Sequence, residues 1–105
     1  MAWINLFIAG ALEVAWAAGL KKLGMSFSLT LGALTFFAMI VSFAALYAAM
    51  QSLPLGIAYP VWTGIGTVGS VLLGFTLFGD TLSLATVSGT CLLVVGMFLI
   101  GSDAH

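Results

Sequence analysis

Four stretches of this chain are apolar for long enough to cross a bilayer, and very little lies between them. A helix rises about 1.5 Å per residue, so about 20 residues cover a hydrocarbon core of about 30 Å. The stretches run over residues 3–20, 29–50, 57–78 and 84–100, joined by KKLGMSFS, QSLPLG and GDTLS. These joints hold both lysines and many of the turn-forming residues. Neither the alternation nor the shortness of membrane β-strands is present, so helices are predicted throughout. Trp3 and Tyr47 fall near span ends, where aromatic side chains anchor a helix at the interface. The predicted architecture is an all-α membrane protein, a single four-helix transmembrane domain over residues 1–105. Nothing is left over for a soluble domain, so any chemistry occurs within or at the surface of the membrane.

Composition closes other routes. The 105 residues are 63% hydrophobic and 5% charged, whereas a water-soluble domain carries about 25% charged residues. The surface must face lipid. A net charge of −1 offers no basic patch, and no nucleic-acid partner is expected. The one cysteine, Cys91, can form neither an internal disulfide nor a metal cluster, and reads as a small buried residue. No metal and no cofactor are expected. Ser42 has no base beside it and His105 lies in the terminal tail, so enzymatic chemistry is not expected either. The first apolar stretch lacks a basic lead and contains an acid, so it is expected to stay in the mature protein rather than be cleaved. Lys21 and Lys22 share the first joint and have no basic counterpart on the opposite side. That weakly favours a cytoplasmic first joint, and the bias is small enough to permit insertion both ways.

Glu13 is the one acid inside the apolar stretches. It follows Trp3 by ten residues, about 15 Å of helix, which puts it near mid-membrane. A short acidic side chain cannot reach the headgroups from there, and an ionised one costs at least about 2.5 kcal/mol. A glutamate so placed either stays protonated or meets a cation. Both options describe a site that trades a proton for a cation.

Helical spacing gathers neighbours around it. Trp16 and Leu20 share the face of Glu13, with Ala9 and Gly10 one turn earlier. In the third stretch Tyr59, Trp62, Gly66 and Gly69 form a stripe; the two aromatics read either as site walls or as interfacial anchors. In the second, Thr35, Met39, Ser42, Leu46 and Ala49 align, and mid-span Ser42 can equally bond its own helix. Gly64, Gly66 and Gly69 permit close helix approach or a bend. Gly89 and Gly96, seven apart, share a face compatible with helix packing. Four helices are too few to wall a polar pathway, which argues for a dimer with a Glu13 from each copy. Two facing carboxylates would then titrate as a coupled pair.

The segments AGALEVAWAAGLK and LPLGIAYPVWTGIG, with the Gly89–Gly96 spacing, resemble the small multidrug resistance family of proton-coupled exporters over essentially the whole chain. Within it the chain looks like the guanidinium-exporting subtype, because Trp16 and Met39 stand where broad-specificity exporters carry a small residue and a tyrosine. The resemblance implies a substrate and proton site of Glu13, Trp16, Ser42, Tyr59 and Trp62, and a conformational kink at Gly64 and Gly66. It further implies dimer packing at Gly89 and Gly96, in an antiparallel homodimer of oppositely inserted copies. The location implied is a bacterial inner (plasma) membrane. One departure is Pro60, between the two site aromatics where the family usually has alanine. A helix starting only near Tyr59 would leave Pro60 close to the tolerated first position. A helix starting earlier would make Pro60 an interior break that alters Tyr59 and the substrate range.

The residues suit the implied chemistry. Guanidinium is a planar cation edged with N–H donors, and a carboxylate accepts two of them side by side. Trp16 and Ser42 are expected to hold the carboxylate by hydrogen bonds, while Tyr59 and Trp62 offer aromatic faces to a cation. The rival readings are a quaternary-ammonium exporter of the same family, a small dual-topology ion channel, and a structural proteolipid of the rotor-ring kind. Four spans rather than two speak against the last.

Overall fold

The computed structural model describes residues 2–103, and the tail residue His105 lies outside them. Four helices follow one another: α1 (Ala2–Met25), α2 (Leu29–Met50), α3 (Leu55–Leu77) and α4 (Leu84–Ser102). Each is long and apolar enough to cross a membrane. α1 continues five residues past its apolar stretch, through Lys21 and Lys22 to Met25. Lysine is a good helix former, and cations in a last turn complement the helix dipole. Ser28 then caps α2, its hydroxyl accepting the Leu31 N–H at 3.3 Å. Ser83 caps α4 in the same way, accepting the Thr86 N–H at 3.1 Å.

α3 corrects the expected placing of Pro60. Pro54, at φ −61° and ψ 152°, is the N-cap, and its carbonyl accepts the N–H groups of Ile57 and Ala58 at 3.1 and 2.9 Å. The helix therefore begins at Leu55, and Pro60 lies inside it rather than at its first position. A helical Tyr59 ahead of a proline is disfavoured locally. Burial of Ala58, Val61 and Trp62, on both sides of the proline, holds the helix together.

The helices form a thin layer rather than a closed bundle, with extents of 44 × 34 × 15 Å. α1 packs against both α2 and α3, α3 packs against α4, and α2 touches α3 only lightly. The buried core is Leu6 and Ala9 of α1, Leu46 and Ala49 of α2, Leu53, and Ala58, Val61 and Trp62 of α3. All of it lies toward the α2–α3 connection. The stripe read on α2 is the buried one: Thr35, Ser42, Leu46 and Ala49 are enclosed, and Met39 is half-buried. No described residue of α4 is buried. Cys91, expected to be buried, is exposed there because α4 has a neighbour on one side only.

The α1–α3 contact alternates small and large residues. A Cβ on Gly10 would strike Ile65 of α3, one on Gly66 would strike Glu13, and one on Gly69 would strike Val14. In lipid, where apolar burial gives helices little reason to associate, such close approach supplies packing contacts.

Candidate functional site

Glu13 stands midway along α1. Its side chain reaches across to α3, where Oε1 lies directly against Gly66. The carboxyl group occupies the volume any larger residue would fill. Two buried polar atoms there, Glu13 Oε1 and Trp16 Nε1, have no hydrogen-bond partner among the described residues. One is an acceptor and the other a donor. Such groups cost about 1–3 kcal/mol each when left unsatisfied, so a pair of them at one place indicates a site built to be filled.

Ser42 and Trp62 converge one turn before Glu13. The Ser42 hydroxyl donates to the Ala9 carbonyl at 2.7 Å. The Trp62 indole N–H is shared between that carbonyl, at 3.2 Å, and Ser42 Oγ, at 3.3 Å. Ala9 is four residues before Glu13, so its carbonyl is the helical acceptor for the Glu13 backbone N–H. Ser42 and Trp62 thus tie α2 and α3 to the turn that carries the acid. Ser42 was expected to hold the carboxylate itself, and Trp16 to share that task. The buried Ala9 carbonyl takes the Ser42 hydroxyl instead, and the Trp16 N–H has no partner among the described residues.

Four aromatic side chains meet in series, edge-to-face at both ends and tilted in the middle. Trp16 meets Phe43 at 6.3 Å between ring centres, Phe43 meets Trp62 at 5.9 Å, and Trp62 meets Tyr59 at 5.4 Å. Trp62 is buried, while Phe43 and Tyr59 on either side of it are exposed, so the series dips into the core at Trp62 and is open on both flanks. Phe43 was missed in the sequence because one more phenylalanine in an apolar span carries no signal. Its place between two tryptophans arises only from packing.

The glycines differ in their surroundings. Gly64 faces α4, where a Cβ would meet Met97 Sδ at 2.8 Å, while Gly66 faces α1. Both lie within one unbroken α3. Gly89 and Gly96 border an open cleft of about 590 Å³ between α3 and α4, shared with Tyr59, Pro60 and Gly64. A Cβ on either would meet nothing within 4 Å.

Fold and site together define a multi-pass membrane protein whose one intramembrane acid lies, with Trp16, in an open groove between α1 and α3. The family described as Small Multidrug Resistance protein matches residues 1–93. The guanidinium exporters of Escherichia coli (strain K12), Salmonella typhimurium (strain LT2) and Citrobacter freundii are 46%, 45% and 47% identical to the chain, each over the whole of both chains. The chain belongs to the small multidrug resistance family, a family of transporters, and is a multi-pass protein of the bacterial inner membrane.

Proposed function

We propose that the chain exports guanidinium and small substituted guanidinium cations in exchange for protons, as an antiparallel homodimer. The observation that carries this reading is the Glu13 carboxyl midway along α1, its buried Oε1 and the Trp16 N–H of the same cleft both without a hydrogen-bond partner among the described residues. A guanidinium edge presents parallel N–H donors to a carboxylate. A carboxylate oxygen in turn suits the indole N–H. Tyr59 and Trp62 add aromatic faces that favour a cation. Full-length relatives named as guanidinium exporters support the substrate class.

Exchange follows from competition. Proton and guanidinium both satisfy Glu13, and a site that changes sides only when occupied by one or the other couples their gradients. Gly64 and Gly66 serve as the bending point of α3 in that change. A second copy completes the site because a single copy is a layer 15 Å thick and encloses no pathway. The exposed α4, with Gly89 and Gly96 open, supports its use as the seam.

The test is transport in liposomes, with guanidinium and a panel of larger quaternary cations, while internal pH is recorded. Guanidinium uptake tied to proton efflux, abolished by Glu13→Gln, is expected. Undiminished transport by that variant would sink the mechanism. Preference for the quaternary cations would turn the substrate reading to a multidrug exporter, and guanidinium flux without proton flux to a channel.

A further inference from the structure

The groove beside Glu13 does not end there. A cleft of about 380 Å³ is lined by Glu13, Trp16, Thr67, Ser70 and Asp80 among others. A second, of about 220 Å³, shares Ala17, Ser70 and Asp80 with it and adds Lys21 and Gly74. Glu13 to Lys21 is eight residues of α1, and Gly66 to Gly74 is eight residues of α3, about 12 Å in each case. The two clefts are therefore one track, from the mid-membrane acid to the end of the layer that holds the first and third connections. Asp80 and Lys21 both line it at that end.

Backbone geometry sets Asp80 there. Gly79 takes a positive φ of 71°, which turns the chain back on α3. The N–H groups of Phe78 and Asp80 then both donate to the Gly74 carbonyl, at 3.2 and 2.9 Å. The Asp80 carboxylate lies against Gly74, in space that a Cβ there would fill. A solvent-reaching acid is thus held over the groove rather than left to swing with its loop.

We infer that Asp80 is an outer collecting carboxylate, which receives the guanidinium ion at the groove mouth before it passes to Glu13. This rests on the proposed guanidinium export and adds an entry subsite to it. A charge at the mouth of a low-dielectric cleft raises the local concentration of its counter-ion and the rate of encounter. Asp80 offers the same paired acceptors as Glu13 but stays hydrated, so it holds the cation more weakly and releases it inward. Ser70 and Thr67 line the wall between the two acids. Lys21, on the opposite wall, competes with the arriving cation for Asp80. In an antiparallel pair each membrane face has one such mouth, so a cation meets one Asp80 on entry and the other on exit.

The experiment measures guanidinium transport by reconstituted wild type, Asp80→Asn, Asp80→Glu and Lys21→Gln, with Glu13→Gln as the inactive reference. Asp80→Asn is expected to raise KM about three- to tenfold at unchanged kcat and proton ratio, and to flatten the rise of KM with ionic strength. Asp80→Glu restores both, and Lys21→Gln lowers KM. Wild-type KM and salt dependence in Asp80→Asn would overturn the collecting role. So would loss of transport in both Asp80 variants, which would leave Asp80 a role in the turn alone. Wild type no more active than Glu13→Gln would overturn the export reading, and the collecting role with it.

Discussion

Glu13 was legible from position alone, since an acid in the middle of an apolar span has few structural uses. Its surroundings were not. That its carboxyl lies against Gly66, and that Ser42 and Trp62 bond the Ala9 carbonyl rather than the acid, depends on how three helices meet. Two predictions belong at this scale. Gly66→Ala puts a methyl group where the carboxyl lies and is expected to cost about 1–3 kcal/mol and at least about tenfold in guanidinium affinity. Gly24→Ala, in α1 where a Cβ meets nothing within 4 Å, is the control: it keeps wild-type affinity and is no less stable than wild type. Isothermal titration and detergent unfolding of both variants check this. Ser42→Ala and Trp62→Phe each remove a bond to the Ala9 carbonyl, worth about 0.6 kcal/mol and at most about 1.7 in membrane proteins. Because the two donors share an acceptor and contact each other, their effects are expected to be non-additive, as a double-mutant cycle in unfolding would show.

Among the elements, α3 departs most from its sequence pattern. A start near Tyr59 was reasonable for a segment containing LPLGIAYP, but Pro54 caps the helix and Pro60 falls inside it. A proline there leaves the Gly56 carbonyl without its helical donor. Pro60→Ala restores that donor and is expected to stabilise the protein by about 1 kcal/mol, read from unfolding in detergent. It is also expected to change the substrate profile through Tyr59; equal profiles for wild type and variant would remove Pro60 from any part in specificity. Span length and caps such as Ser28 and Ser83 could be read locally, because they depend on residues within one turn. The neighbour of each glycine could not, because Gly64 and Gly66 are two residues apart yet face different helices.

At the scale of the whole molecule, one copy leaves its fourth helix open. It is a thin layer in which α4 has a neighbour on one side and no buried described residue. If α4 is the seam of the proposed pair, Gly96→Leu fills the open cleft beside Gly64 and Tyr59 and breaks the assembly. Light scattering in mild detergent is expected to show a shift to the monomer mass, with loss of transport; a dimer of unchanged mass would move the seam elsewhere. The sequence by itself determined the number of spans, the depth of Glu13 and the lipid-facing character of the chain, because these follow from apolar length, helical rise and the cost of a buried charge. It also determined the buried face of α2, since helical period is a local property, whereas on α1 Leu20, read as a neighbour of Glu13, is exposed. Only the tertiary structure decided which helices are neighbours, that the buried core lies toward the α2–α3 connection, that Phe43 packs between Trp16 and Trp62, and that Asp80 borders the cleft holding Glu13. Those features depend on contacts between residues tens of positions apart, set by side-chain shapes fitting across helices, and no local pattern encodes that fit.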